Sequence, residues 1–179
     1  MKKLNEIARR CGFTPTDVRP ETWNTKDNCS GDCTTRALVA ALNGTMTYDE
    51  VEAEQYRLAK EMRSRRNRTG VYDKILVTQG WRWIQLSKCL TRGEVAVRLK
   101  FYIPNVTALT LSRSHIAAVR NGELIDTWDS RGGQVYAIMV PYEHQRAVIE
   151  AMAGIECHKV NQNSTPKLVR SRKSRHRFW

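Results

Sequence analysis

The chain contains no run of about 18 apolar residues, so no membrane-spanning helix is expected. Its first ten residues, M-K-K-L-N-E-I-A-R-R, form a charged amphipathic stretch without the apolar centre of a secretory leader, and a cytoplasmic setting is expected. The cysteines are too few and odd in number for a disulfide framework: Cys11, Cys29, Cys33, Cys89 and Cys157. In a reducing compartment most of them stay free thiols. Cys29 and Cys33 have the spacing of half a metal site, but the other half is missing. The adjacent pair Cys157-His158 is a poor substitute, because neighbours in sequence rarely reach one tetrahedral ion. Neither a metal nor another cofactor is therefore expected. No internal repeat is evident. Acidic residues are absent from Cys157 onward, a stretch with seven Lys or Arg.

What is present suits one domain followed by a tail: 179 residues, 41% of them hydrophobic, enough to bury a core. We expect a domain over 1–155 and a basic, flexible segment over 156–179. The formal net charge is +12, and a second basic cluster, R-S-R-R-N-R, runs from Arg63 to Arg68. Such blocks attract nucleic acid or acidic partners. The residues expected to make that contact are Arg63, Arg65, Arg66 and Arg68 in the cluster, and Arg170, Arg172, Lys173, Arg175 and Arg177 in the tail. The alternative is a solvated segment that aids solubility, with Arg63–Arg68 no more than an exposed helix end.

Hydrophobic spacing predicts a short helix over 2–11, stopped by Gly12. An irregular loop is expected over 13–31, where two prolines and many turn residues disfavour regular structure. A helix then begins at Cys33, with Asp32 as its N-cap and Asn43-Gly44 as its end. Capping boxes at T-Y-D-E and T-R-G-E open further helices after Thr47 and Thr91. Another helix is expected over 71–78, with a short strand at W-R-W-I-Q-L. From residue 106 the period changes to that of strands: 106–111, 115–120, 123–128 and 134–140, with a last helix after Pro141. Asn121-Gly122 is the strongest hairpin signal. Helices first and an antiparallel meander second make an α+β layout.

If Asn121-Gly122 forms the turn, Arg120 faces Glu123, and counting back sets His115 opposite Trp128 and Ala117 opposite Asp126. These four side chains then share one sheet face, with Asp126 a diagonal neighbour of His115. A carboxylate there would fix the imidazole tautomer and favour its protonated form. Trp128 could cover the pair. Cys33, at the first turn of a buried helix, meets unsatisfied N–H groups and the positive end of the dipole, which favour thiolate. Cysteine, histidine and an orienting carboxylate are the parts of thiol catalysis, with helix-start N–H groups and Asn28 available for an oxyanion. Taken singly, a helix-start cysteine is more often packing and a strand histidine an ordinary polar residue. Trp81 and Trp83 could stack on bases, but two tryptophans on one strand face are more often core. His144 reads as a surface residue.

N-C-S-G-D-C-T-T-R-A-L together with H-I-A-A-V-R-N-G-E-L-I-D-T-W-D-S resembles the papain-like cysteine peptidase superfamily, and more closely small phage- and prophage-encoded proteins of papain-like fold whose substrates are generally unassigned. The resemblance covers roughly residues 25–140. It implies a papain-like fold and a Cys33-His115-Asp126 triad, with Asn28 and Trp128 in supporting roles. The implied activity is a thiol hydrolase acting on an amide, isopeptide or thioester bond of a protein or peptide. Asn28 stands five residues before Cys33, where papain has a glutamine six before. Asp129 is the alternative acid, set by strand alternation on the opposite face unless a bulge intervenes. A non-catalytic binding protein on the same scaffold is the competing expectation, as is an accessory protein of a virion.

Overall fold

The computed structural model describes residues 6–19 and 32–153. Asn28, Cys29, Cys157 and the tail residues Arg170, Arg172, Lys173, Arg175 and Arg177 lie outside them. In chain order the elements are α1 (Glu6–Arg9), β1 (Gly12–Pro15), α2 (Cys33–Leu42), α3 (Tyr48–Glu61), α4 (Thr69–Thr78), β2 (Trp81–Thr91), α5 (Arg92–Tyr102), β3 (Thr107–Leu111), β4 (Ile116–Arg120), β5 (Glu123–Asp126), β6 (Gln134–Pro141) and α6 (Gln145–Ala153). A 3-10 turn, Tyr142–His144, leads into α6.

Local chemistry sets most boundaries. Thr47 and Thr91 each accept the backbone N–H three residues on, while Glu50 and Glu94 return to the cap N–H at 2.7 Å, so both capping boxes close. Asn43 ends α2 in the left-handed region, at φ 47°. Asn121 and Gly122 are both at positive φ, 53° and 76°, as a two-residue hairpin turn demands. The ladder then runs Arg120 to Glu123, Val119 to Leu124 and Ala118 to Ile125.

The six strands form one mixed sheet in the order β1-β5-β4-β3-β6-β2. This corrects the expected simple antiparallel meander in three ways. Only β3, β4 and β5 follow one another as neighbours; β6 then crosses to the far edge of β3 and separates it from β2. β2, expected as a short strand at W-R-W-I-Q-L, is 11 residues long, pairing with β6 over Trp81–Gln85 and, past a register shift, again at Leu90 and Thr91. And β1, parallel to β5, takes Gly12–Pro15, three residues of which belong to the expected irregular loop over 13–31. Proline is tolerated because β1 is an edge strand.

Helices cover both faces. Leu38, Val51, Leu76, Leu109, Leu111, Ala118 and Met139 join in a core between α2–α4 and one face. Val95, Leu99, Val119, Leu124, Ile138 and Val148 form the other core, under α5 and α6. The central strands are buried on both sides, which is why β3 and β4 read as nearly unbroken apolar runs. Trp81 and Trp83 both pack on the first core, and Trp83 Nε1 donates to Asp73 Oδ1. Trp81 is buried and unavailable for stacking on a base. No helix among the described residues is long and apolar enough to cross a membrane.

Candidate active site

Cys33 is the first residue of α2, whose Ala37, Leu38 and Ala41 are anchored in the core beside β3 and β4. That anchoring carries the helix start to the end of the sheet where β4 begins. Asp32 does not cap the helix as expected. Its backbone is already helical and its side chain caps nothing, turning instead to Arg36 at 3.2 Å and Arg19 at 3.9 Å. No acid occupies the first turn of α2, so the positive end of its dipole faces the sulfur unopposed from within the helix.

His115 closes a tight turn ahead of β4. Its carbonyl receives three donors: Ser112 N at 2.9 Å, Ser112 Oγ at 2.9 Å and Arg92 Nη2 at 2.8 Å. The ring is therefore held by a fixed backbone. Its Nε2 lies 2.6 Å from Oδ2 of Asp126, the last residue of β5. Asp126 also accepts from Ser130 Oγ at 2.6 Å and from Thr127 N at 2.8 Å, and its carbonyl accepts from Thr16 N, just past β1, at 2.8 Å. With Nε2 committed to the carboxylate, Nδ1 is left for Cys33.

Each ionisation is shifted in the direction thiol chemistry requires. Burial pushes the Cys33 thiol up. Hydrogen bonding and charge from His115, with the Ile116 backbone and Thr34, outweigh that and hold the thiol below its ordinary value. Burial pulls His115 down, while the hydrogen bonds of Asp126 and Cys33 and the charge of Asp126 lift it above its usual value. Burial also raises Asp126, but His115, Ser130 and Thr127 together keep it below the ordinary carboxylate range. The arrangement favours thiolate beside imidazolium. Cys11 contrasts: it is buried without such a partner, and burial leaves its thiol raised.

Trp128 lies in the loop after β5 rather than opposite His115 in a ladder, which stops at Ala118 and Ile125. Its ring nevertheless packs on the imidazole, with centroids 5.0 Å apart, while the side chain stays 53% exposed. Asp129 points away into solvent and pairs with Arg131 at 2.9 Å, so Asp126 is the acid that meets His115. His144 is partly buried in the 3-10 turn, away from this cluster.

Behind the His-Asp pair sits Arg92, at 1% exposure the largest of the fully buried side chains. It bonds Thr110 Oγ1 at 3.2 Å, Ser112 Oγ at 2.9 Å, the His115 carbonyl at 2.8 Å and the Ser130 carbonyl at 3.4 Å. Burial pushes its titration down to about 10, opposed by the charges of Asp126 and Cys33. Neither Arg92 nor Ser130 emerges from the sequence as a site residue. T-R-G-E announces a helix start and nothing more, because the acceptors that bury the guanidinium come from 18 to 38 residues further on. D-S after Trp128 carries the only hint of Ser130.

A cleft of about 380 Å3 opens on Cys33 and His115, and Arg65, Arg68 and Arg113 are among the residues around it. Arg66 instead turns to Glu52 in an ion pair and lies over the Tyr56 ring at 5.0 Å. Arg63 is exposed and does not line the cleft. Among the described residues no group of three His, Cys, Asp or Glu side chains is placed to hold a metal ion. No family model matches the chain, and neither do any curated protein or solved structure.

Proposed function

We propose that the protein is a thiol hydrolase of papain-like type, with Cys33 as nucleophile, His115 as the proton carrier and Asp126 as the residue that orients His115. One observation carries the reading: the ring whose Nε2 lies 2.6 Å from a buried carboxylate also interacts with a thiol at the start of a ten-residue helix, inside an open cleft. Structural carboxylate–histidine pairs are common; a thiol on the other side of the ring, held below its ordinary titration, is not what packing alone requires.

The thiolate attacks an acyl carbon, forming a C–S bond, and the carbonyl π pair moves to oxygen. Backbone N–H groups at the start of α2 face that developing charge. His115, protonated, gives its proton to the departing amine or thiol as the tetrahedral adduct collapses to a thioester. Neutral His115 then takes a proton from water, which attacks the thioester, and the sulfur leaves as thiolate. Asp126 stays ionised throughout and stabilises the imidazolium. Arg92 and Ser130 act through their neighbours as positioning residues. The bond is an amide, isopeptide or thioester; the same groups serve all three.

A second reading, a papain-fold binding protein that contacts nucleic acid or an acidic partner, draws on Arg65 and Arg68, which are exposed and have no carboxylate partner among the described residues. Intact-mass labelling with a thiol-directed electrophile separates the two. The hydrolase labels fastest at Cys33, loses that labelling in Cys33→Ala, and slows in His115→Ala. Labelling that survives Cys33→Ala and ignores His115→Ala ends the enzymatic reading.

A further inference from the structure

The three arginines around the Cys33 cleft have a consequence that rests on the hydrolase reading and sharpens it. Arg65 and Arg68 come from the turn before α4, and Arg113 from the turn that presents His115. Segments some 45 residues apart thus place guanidinium groups around one cavity. Among the described residues none of the three has an ion-pair partner, and no Asp or Glu lines the cavity. Several arginines elsewhere on the surface are paired: Arg57 with Glu54, Arg131 with Asp129, Arg146 with Glu150. What sets the cleft apart among the described residues is that three such guanidinium groups line one cavity.

The wall is also built to stay in place. Arg66, between the two cleft arginines, is fixed by its Glu52 ion pair and its stacking on Tyr56, and its carbonyl accepts from Gln55 Nε2 at 3.4 Å. Gln55 is fully buried and itself takes a 2.6 Å hydrogen bond from Thr35 of α2, the helix that begins with Cys33. The arginine turn is therefore tied, through buried polar contacts, to the helix of the nucleophile. At the other side, Arg113 stands two residues from His115 in a turn closed by the Ser112 N to His115 O bond. The α4 N-terminus at the same wall has no acid in its first turn and no side-chain cap.

We infer that the cleft selects polypeptide substrates with carboxylate side chains next to the bond that Cys33 attacks. A guanidinium pairs with a carboxylate through parallel N–H donors, and an uncharged substrate would leave three like charges facing one another. A nucleic acid would satisfy the charge, but it offers no acyl carbon to a thiolate at the same cavity.

The test uses two alkylating probes of nearly equal size, anionic iodoacetate and neutral iodoacetamide, with the rate at Cys33 read by peptide mass. The iodoacetate-to-iodoacetamide rate ratio is expected to exceed that of free cysteine. It should fall by about tenfold in the triple variant Arg65→Gln, Arg68→Gln, Arg113→Gln, which retains His115 and Cys33. In the wild type, raising salt toward 1 M should shrink the ratio, as the Debye length drops to about 3 Å. An unchanged ratio in the triple variant, with iodoacetamide still fast at Cys33, overturns the substrate inference and leaves the hydrolase reading standing. Iodoacetamide no faster at Cys33 than at exposed Cys89 overturns both. A Glu-containing peptide should then protect Cys33 from iodoacetamide better than its Gln analogue. Protection by an oligonucleotide and not by the Glu peptide overturns the choice of polypeptide.

Discussion

Replacing Arg92 by methionine tests how the buried guanidinium is balanced. Two terms oppose each other. Holding the charge in place costs about 3 kcal/mol, the equivalent of the drop in its titration to about 10. Against that stand two close hydrogen bonds, to the His115 carbonyl at 2.8 Å and Ser112 Oγ at 2.9 Å, and two longer ones at 3.2 and 3.4 Å. Bonds from a charged donor contribute about 1.5–3 kcal/mol each when well formed, so the close pair alone offsets the burial cost. No acceptor is orphaned by the change. The His115 carbonyl keeps Ser112 N and Oγ, and the Ser130 carbonyl keeps Gly133 N at 2.9 Å. Arg92→Met should therefore fold, with unfolding free energy reduced by no more than about 3 kcal/mol in urea. Its effect on the site is the more telling one. Arg92 repels imidazolium, so its removal should raise the His115 midpoint, read from the ring proton shifts in NMR. It also attracts the Cys33 thiolate, so the rise of iodoacetamide reactivity at Cys33 should move to higher pH. A His115 midpoint that stays put or moves down would refute this account of Arg92, as would a variant that does not fold.

Two further outcomes follow from the same contacts. A Cβ on Gly133 would collide with the Arg92 guanidinium and lie 3.1 Å from the Ser130 carbonyl. Gly133→Ala should cost about 1–3 kcal/mol in the wild type and clearly less in the Arg92→Met background, and an additive double-mutant cycle would count against the clash. Asp126→Asn removes the group that lifts His115, so the ring midpoint should fall, and thiolate reactivity of Cys33 near pH 6 should fall with it. The stability gap between wild type and Asp126→Asn has two limbs. Asp126 titrates below its unfolded value of about 3.9, so its contribution is present above that pH and fades as acid carries it through the depressed value. His115 titrates above about 6.5, so its contribution is full below that pH and is lost as pH rises through the elevated value. Urea midpoints should show the widest gap between those limits, and a gap widening toward pH 2 would be contrary to this.

Much of the site was legible because its signals are local. The helix starting at Cys33 follows from an apolar run bounded by Asn43-Gly44, and the hairpin register from two residues that accept positive φ. Counting from Arg120 and Glu123 then brings Asp126 toward His115 with no tertiary knowledge. What escaped depends on partners far along the chain. β1 forms because Gly12–Pro15 finds an unpaired edge of β5, more than a hundred residues later, and an edge strand with a proline has the composition of a loop. The crossing of β6 is a choice of edge that strand periodicity does not encode. Asp32 looks like an N-cap, but Arg36 and Arg19 compete for the same carboxylate and hold it. Arg92 has the residue type of a surface position and the burial of a core leucine.

The charges in the centre of the site explain why proton transfer from thiol to imidazole is favourable there. With a neutral thiol and a neutral ring, Arg92 and Asp126 leave no net charge. With thiolate and imidazolium the sum is again zero, so the transfer adds no uncompensated charge to a buried region, where such charge would be costly. What changes is the placement. The new positive charge forms beside Asp126, 2.6 Å from its oxygen, and the new negative charge forms at the start of α2. Arg92 favours the thiolate and disfavours the imidazolium, so its two effects on the transfer oppose each other and it does not drive the transfer one way. The sulfur is thus part of the balance that keeps His115 protonated. Capping it with a neutral carboxamidomethyl group should lower the His115 midpoint relative to the free protein, because only Asp126 then supports the charged ring against burial and Arg92. An unchanged midpoint after complete modification of Cys33 would mean that thiol and imidazole titrate independently, and the thiolate–imidazolium pair would have to be given up.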